Sequence, residues 1–306
     1  MSMSEPKFGF VALLGPPNSG KSTLMNQYLG QKIAIVSPKP QTTRNRISGI
    51  LTDEDSQVVF LDTPGIHRMR GKMNRFLLDT AWDALSNSDV IVILFDAAFF
   101  AAKPHMMEKE LEPLVKPING SGRKIFVAVN KIDKVKDKAM LLPVMEKAQA
   151  MWPEAEFFPV SARKGEGIDI LLEKVKEALP EGPPMFPEDQ VSTVPMRFMA
   201  SEVIREKLFM SLQQELPYST AVEIEFWNQD PDKNLVNIGA IIYTSKKNHK
   251  GMIIGKGGQN LKKIGIKART EIEEMLEQKV MLELWVKVKE DWTEDVGFLR
   301  SIGLGE

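Results

Sequence analysis

The sequence predicts a mostly parallel α/β domain followed by a smaller α+β domain. Three observations carry this. Up to about residue 180, apolar runs of strand length alternate with helical patterns. A glycine-rich turn, Gly15-Pro-Pro-Asn-Ser-Gly20-Lys21-Ser22, joins the first apolar run to the first helical pattern. Further on, Pro180-Glu-Gly-Pro-Pro-Met-Phe-Pro187 places four prolines in eight residues, which neither a helix nor a strand interior tolerates, and the element order changes after it.

Strands are expected at 8–14, 57–61, 90–95, 125–129 and 157–160, several of them continuous apolar runs of the kind buried on both faces of a parallel sheet. The stretch 167–179, with IDILLEKVKEAL, carries apolar residues at helical spacing. The first domain is therefore read as residues 1–180, a linker as 181–190 and the second domain as 191–306. In the second domain the pattern reads helix (198–215), strand (219–228), strand (235–244), short helix, glycine-rich turn, helix (259–278), strand (280–288).

Composition narrows the class. Of 306 residues, 43% are hydrophobic and 26% charged, as in a globular protein. There is no cysteine, so disulfides and thiolate metal sites are excluded, which fits a reducing cytoplasm. The three histidines, His67, His105 and His249, are scattered, against a histidine-built metal centre. The N-terminus lacks a signal-peptide pattern, and no apolar run is long enough to span a bilayer. Net charge is −1, so overall charge announces no nucleic-acid partner.

The glycine-rich turn fits the P-loop pattern in the strand–loop–helix setting that its mechanism needs. Gly15, Pro16, Pro17, Asn18, Ser19, Gly20, Lys21, Ser22 and Thr23 would cradle phosphates on the N–H groups at a helix start. The two prolines have no N–H, so the donors begin at Asn18. Lys21 is assigned to the β- and γ-phosphates and Ser22 to Mg²⁺. Asn130-Lys131-Ile132-Asp133 follows an apolar strand. The Asp133 carboxylate can accept from guanine N1–H and N2–H₂, a donor pair that adenine lacks. Asn130 can tie the base to the loop, the Lys131 stem can lie along the ring, and after Ser161 the backbone N–H of Ala162 is expected to meet guanine O6.

Asp62-Thr63-Pro64-Gly65 ends another strand, with Asp62 a Mg²⁺ candidate and the Gly65 N–H directed at the γ-phosphate. In the preceding segment, Pro40-Gln-Thr42-Thr43-Arg44, a threonine would complete the Mg²⁺ shell; Thr43 is favoured and Thr42 is the alternative. The metal set is thus Ser22, Thr43 and Asp62, and the catalytic candidates are Lys21, Asn18, Thr43 and Gly65. Arg44 and Lys39 are further charge donors but read as solvated.

Together these five pieces resemble the Ras-like P-loop GTPase superfamily over residues 8–180. The resemblance implies Mg²⁺-dependent hydrolysis of GTP to GDP by in-line attack of water, a reaction governed by positioning and charge. Many members orient that water with a glutamine just after the DxxG motif. Ile66 stands there, so slow intrinsic turnover is expected. Similar asparagine-containing loops in translation-related bacterial GTPases bind potassium, which makes Asn18 a candidate K⁺ ligand, loop shaping being the alternative.

The second domain holds a local basic block. Lys246, Lys247, Lys250, Lys256, Lys262, Lys263, Lys267 and Arg269 occur with no acidic residue among them. Such density reads as a phosphate-backbone footprint. Inside it, Gly255-Lys256-Gly257-Gly258 joins two helical stretches, as in the KH loop that clamps about four nucleotides of single-stranded RNA. The RNA-binding candidates are Lys247, Lys250, Gly255, Lys256, Gly257, Gly258, Lys262 and Lys263. Ile253 and Ile254 read as core, and Trp227, Trp285 and Trp292 as packing residues; the tail from Asp291 either packs on this domain or reaches a partner.

The element order resembles a type II KH domain, and the pairing with a GTPase is similar to the Era family of bacterial ribosome-assembly GTPases over nearly the whole chain. The motifs concerned are GPPNSGKS, QTTRN, DTPG, NKID, VSA and GKGG. Pro16 departs from a frequent basic residue at its position, which alters loop charge mildly. The resemblance implies binding to the 3′ region of small-subunit ribosomal RNA and a role in maturation of the small ribosomal subunit. It also implies a monomer, and a cytoplasmic location with peripheral contact at the inner membrane. Two rivals remain: a GTPase of transfer-RNA modification, which would lack the GKGG domain, and a non-catalytic RNA-binding scaffold that holds nucleotide for stability.

Overall fold

A computed structural model describes residues 5–37, 39, 42–66, 71–212 and 216–304. Pro40 and Gln41 of the threonine segment, and His67, lie outside them. The chain divides into two compact units, residues 1–70 with 74–193, and 71–73 with 194–306.

The first unit is a six-stranded sheet in the order β2-β3-β1-β4-β5-β6. Its strands are β1 (Lys7–Leu14), β2 (Ile47–Thr52), β3 (Ser56–Asp62), β4 (Val90–Asp96), β5 (Lys124–Asn130) and β6 (Glu156–Pro159). Only β2 runs antiparallel. Helices α1 (Lys21–Leu29), α2 (Lys72–Ser86), α3 (Ala97–Ala102), α4 (Met106–Asn119), α5 (Leu141–Met151) and α6 (Ile168–Ala178) connect them. β3 is buried throughout and β4 everywhere except Asp96, so both faces are covered and the apolar runs need no alternation. One core cluster sets Leu14, Ile91, Ile93 and Phe95 of the sheet against Leu111, Leu114 and Ile118 of α4 and Val144 and Ala148 of α5.

Strand β2 has no counterpart among the expected strands. Its sequence, ISGILT, breaks the apolar run with Ser48 and Gly49, and what holds it is a long-range ladder with β3. The proline-rich segment also differs from a free linker. It lies along the first unit: Gly182 N–H donates to Pro6 O (2.8 Å) and Ile50 N–H to Val191 O (2.9 Å). Gln57, 1% exposed, accepts from the N–H groups of Met185 and Phe186 and donates to Phe186 O. Phe186 joins Phe8 and Phe10 against Ile50, Val59 and Leu61. Prolines remove only N–H groups, so the remaining donors and acceptors of 181–193 are still free to pair with a sheet edge. Gln57→Ala is expected to cost about 2–3 kcal/mol by removing three such bonds. Its melting temperature should fall, and limited proteolysis should cut first within 181–193.

The second unit contains α7 (Met196–Ser211), β7 (Thr220–Asp230), β8 (Leu235–Thr244), α8 (Lys247–Ile254), α9 (Gln259–Leu276), β9 (Lys279–Val288) and α10 (Val296–Ser301). The sheet order is β7-β8-β9, with β7 antiparallel and β9 parallel to β8. Ala200, Ile204 and Leu208 of α7, Ile253 of α8, and Ile264, Ala268 and Ile272 of α9 pack on one sheet face, over Ile238, Ala240 and Ile242. Trp292 is fully buried and donates to Ser219 O, and Phe298 of α10 meets Tyr243 ring to ring at 4.8 Å, so the tail packs on this unit. Trp285 packs on Phe226 with ring centroids 6.1 Å apart and is 37% exposed, because it alternates away from the helices on the edge strand β9.

Candidate functional site

The phosphate loop follows β1 and delivers Lys21 as the first residue of α1. Gly20 is obligatory there. Its φ of 104° is left-handed, and a Cβ would stand 2.2 Å from the Asn130 amide nitrogen. Gly65 meets the loop from the other side, where a Cβ would lie 2.5 Å from the Pro17 backbone. Lys21 is buried, and its ammonium donates to Gly15 O (3.2 Å), Pro16 O (3.0 Å) and Ser19 Oγ (3.4 Å). Burial lowers its pKa to about 8, with Lys131 pushing the same way and Asp62 opposing.

Three hydroxyl and carboxylate groups from distant parts of the chain converge beside it. Ser22 Oγ donates to Asp62 Oδ2 at 2.6 Å, Thr43 Oγ1 donates to the same oxygen at 3.3 Å, and the two hydroxyls are 3.0 Å apart. Asp62 is fully buried, its Oδ1 has no hydrogen-bond partner among the described residues, and desolvation raises its pKa. A buried carboxylate with one orphaned oxygen and two hydroxyls at its other oxygen is a hard-oxygen donor set suited to Mg²⁺. The two candidate threonines differ in position. Thr42 Oγ1 is engaged with Lys39 O (2.8 Å) and Ser37 Oγ (2.7 Å), whereas Thr43 stands at Ser22 and Asp62.

The segment also corrects one expectation. Arg44 is 4% exposed rather than solvated. It leads into β2, whose Ile47 pairs with Asp62, so residues 42–44 are drawn onto the end of the sheet. Ile66 is buried in the core cluster, and its N–H donates to Gly15 O (3.1 Å). Its side chain takes no part in placing water. Asn18 is exposed with a left-handed φ of 60° and lines the cavity described next.

A cavity of about 710 Å³ opens over the loop, within the range of a nucleotide-sized ligand site. Residues 16–23, Thr42, Thr43, Thr63, Gly65, Asp96, Phe99, Glu110, Lys131 and Lys134 are among its walls. Asn130, Asp133, Ser161 and Ala162 do not line it. They are bonded to one another and to the loop: Asn130 Nδ2 donates to Ser19 O (2.7 Å), and Ser161 Oγ to Asp133 Oδ1 (2.8 Å). The Ala162 N–H, expected at guanine O6, donates to Asn130 Oδ1 at 3.0 Å. The physical reason is that a buried amide N–H takes the nearest strong acceptor. No contiguous motif contains Asp96 or Phe99, so the sequence alone does not mark them as cavity residues.

The second unit carries a separate candidate site. Gly258 caps α9 in the left-handed region (φ 77°) with no side-chain cap, so the first N–H groups of that helix face outward. Asn260, unremarked in the sequence, closes α8 by donating to Met252 O and Ile253 O. Lys247, Lys250, Lys256, Lys262 and Lys263 are exposed, Ile253 is fully buried and Ile254 partly so. A groove of about 520 Å³ runs between α9 and β9, lined by Gly258, Leu261, Lys262, Gly265, Ile266, Arg269, Met281, Leu282 and Leu284. Of the basic block, Lys262 and Arg269 are in its wall. The apolar floor was legible in part, because 258, 261, 262, 265, 266 and 269 share one helical face. The β9 wall was not. No helix among the described residues is long and apolar enough to cross a membrane.

A family model described as a 50S ribosome-binding GTPase matches residues 10–131, and a KH domain model matches residues 215–293. GTPase Era of Nitratidesulfovibrio vulgaris (strain DSM 19637 / Miyazaki F) is 54% identical over 306 residues, all of both chains. GTPase Era of Desulfovibrio desulfuricans (strain ATCC 27774 / DSM 6949 / MB) is 48% identical over 97% of this chain and 96% of its own. Among solved structures, a single-residue variant of Aquifex aeolicus Era bound to GDP·AlF4⁻ is similar at TM-score 0.89 and 37% identity, covering 98% of this chain and 100% of that one. Era in complex with MgGDPNP and nucleotides 1506–1542 of 16S ribosomal RNA gives the same TM-score, identity and coverage.

Proposed function

The chain belongs to the Era family of GTPases, and from that membership we propose a Mg²⁺-dependent switch that binds the 3′ region of small-subunit ribosomal RNA and assists maturation of that subunit. The observation that carries the switch is the convergence of Ser22, Thr43 and Asp62 on one point beside Lys21. Ser22 and Thr43 would hold Mg²⁺ directly and Asp62 through water, and the ion when bound would supply positive charge at the phosphates. Lys21 binds the same phosphates, and the Gly65 N–H fixes the γ-phosphate from the far side. Asp133 would hold the guanine, with Ser161 orienting its carboxylate, and Asn130 ties this segment to the phosphate loop. The remaining nucleotide-binding and metal residues keep the roles assigned from the sequence, except Ala162, whose N–H is engaged by Asn130.

Because Ile66 is packed in the core, charge and water positioning must come from elsewhere, and Asn18 at the cavity mouth is the proposed K⁺ ligand. The RNA would enter the groove beside Gly255–Gly258, whose helix N-terminus faces phosphate and whose apolar floor accepts bases. The 16S target follows relatives that match over the full chain length, which weigh more than the broader description of a model matching residues 10–131. Cytoplasmic residence with peripheral contact at the inner membrane belongs to the same proposal.

The test is fluorescence anisotropy of a labelled RNA matching the 3′ tail of small-subunit ribosomal RNA, against a scrambled control, with GDP and with a non-hydrolysable GTP analogue at fixed salt. Tighter, sequence-selective binding in the GTP state is expected, and by linkage RNA should tighten GTP binding by the same factor. Phosphate release in the same samples should be faster in potassium than in sodium. Binding indifferent to sequence and nucleotide would remove the RNA target, equal turnover in the two salts would remove the potassium role, and no release at all would leave a scaffold.

A further inference from the structure

We propose that Asp96 is a positioning residue for the guanine nucleotide, acting through Lys131 on both the base clamp and the phosphate loop. The inference rests on the nucleotide reading of the cavity, whose wall includes both residues.

Asp96 is the last residue of β4, directly opposite Asn130 in the β4–β5 ladder. Its two carboxylate oxygens have separate tasks. Oδ1 accepts from Phe99 N–H at 3.0 Å and caps α3. Oδ2 takes the Lys131 ammonium at 2.7 Å. The same ammonium donates to Asn18 O at 2.5 Å. One nitrogen therefore joins the end of β4, the NKID segment and the phosphate loop.

The joined residues are in uncommon backbone states. Lys131 has φ 66° and Asn18 has φ 60°, both left-handed and neither glycine. Such conformations persist where surrounding contacts fix them. The pair is only partly exposed, 21% for Lys131 and 26% for Asp96, so water screens it less than an open surface pair. Without the Asp96 charge, Lys131 would keep a single anchor, a loop carbonyl. Its stem would no longer be held where a base lies, and the Asn18 peptide would lose a fixed partner. The bland alternative is that Asp96 only caps α3. The two roles separate by substitution, because asparagine and serine both cap helices but carry no charge.

The experiment is the release rate of a fluorescent GDP analogue from the full chain, for wild type, Asp96→Asn, Lys131→Met and the double variant. Release from Asp96→Asn should be roughly tenfold faster, the size expected for losing a charge-assisted hydrogen bond. In the Lys131→Met background the same change should add nothing, since the partner is gone. Asp96→Ser gives a second reading should the asparagine variant fold poorly. Wild-type release rates in both Asp96 variants, or a full Asp96 effect persisting without Lys131, would reduce Asp96 to a cap. A wild-type chain that retains no GDP analogue would overturn the nucleotide site itself, and Asp96 with it.

Discussion

Lys21→Met should lower GTP turnover by roughly a thousandfold, the scale lost when a preorganised charge on the transferring phosphoryl group is removed. Methionine keeps most of the buried volume, so the fold is expected to survive, which a melting curve checks. The wild-type site adds a pH signature. Lys21 is held near pKa 8 by burial, against about 10.4 in an unfolded chain. Between these values the unfolded chain carries the extra proton, so the nucleotide-free fold gains stability as pH rises through that window. Nucleotide affinity moves the other way, because phosphates bind the protonated ammonium. GDP affinity should fall as pH rises from about 7 to about 9. In Lys21→Met this dependence should vanish. Turnover within tenfold of wild type, or an unchanged pH profile, would show that Lys21 does not meet the phosphates.

Replacing Lys256 and Gly257 together by aspartate should weaken RNA binding by roughly a hundredfold, since one phosphate contact is lost and two negative charges face the backbone. The loop can accept this change. A Cβ at Gly257 meets nothing within 4 Å, and its φ of 59° is a left-handed value that aspartate tolerates better than most residues. Gly255 is a poorer choice, because a Cβ there would lie 2.8 Å from Asn260 Cβ. The anisotropy titration at two salt concentrations is the check. The variant should bind more weakly and with a shallower salt dependence, while its melting curve stays close to wild type. Undiminished binding would move the RNA away from the GKGG loop.

The sequence by itself determined the parts whose chemistry is contiguous. A P-loop can be read because glycine torsions, N–H donors and one lysine must occur at fixed spacing along the chain. The same holds for DTPG, NKID and the GKGG turn, and for β4 and β8, whose apolar content makes them strands wherever they pair. Tertiary structure decided what depends on two distant segments meeting. Thr43 rather than Thr42 reaches Asp62, since hydroxyls one residue apart differ only in which way the folded segment turns them. The segment after Pro180 is bound rather than free, because Gln57 is presented to it by a strand over a hundred residues away. The β9 wall of the groove, the capture of the Ala162 N–H by Asn130, and the Asp96–Lys131 pair likewise exist only in register. Local spacing specifies backbone conformation and donor type. Which donor meets which acceptor is fixed by strand order and burial, and those are properties of the whole fold.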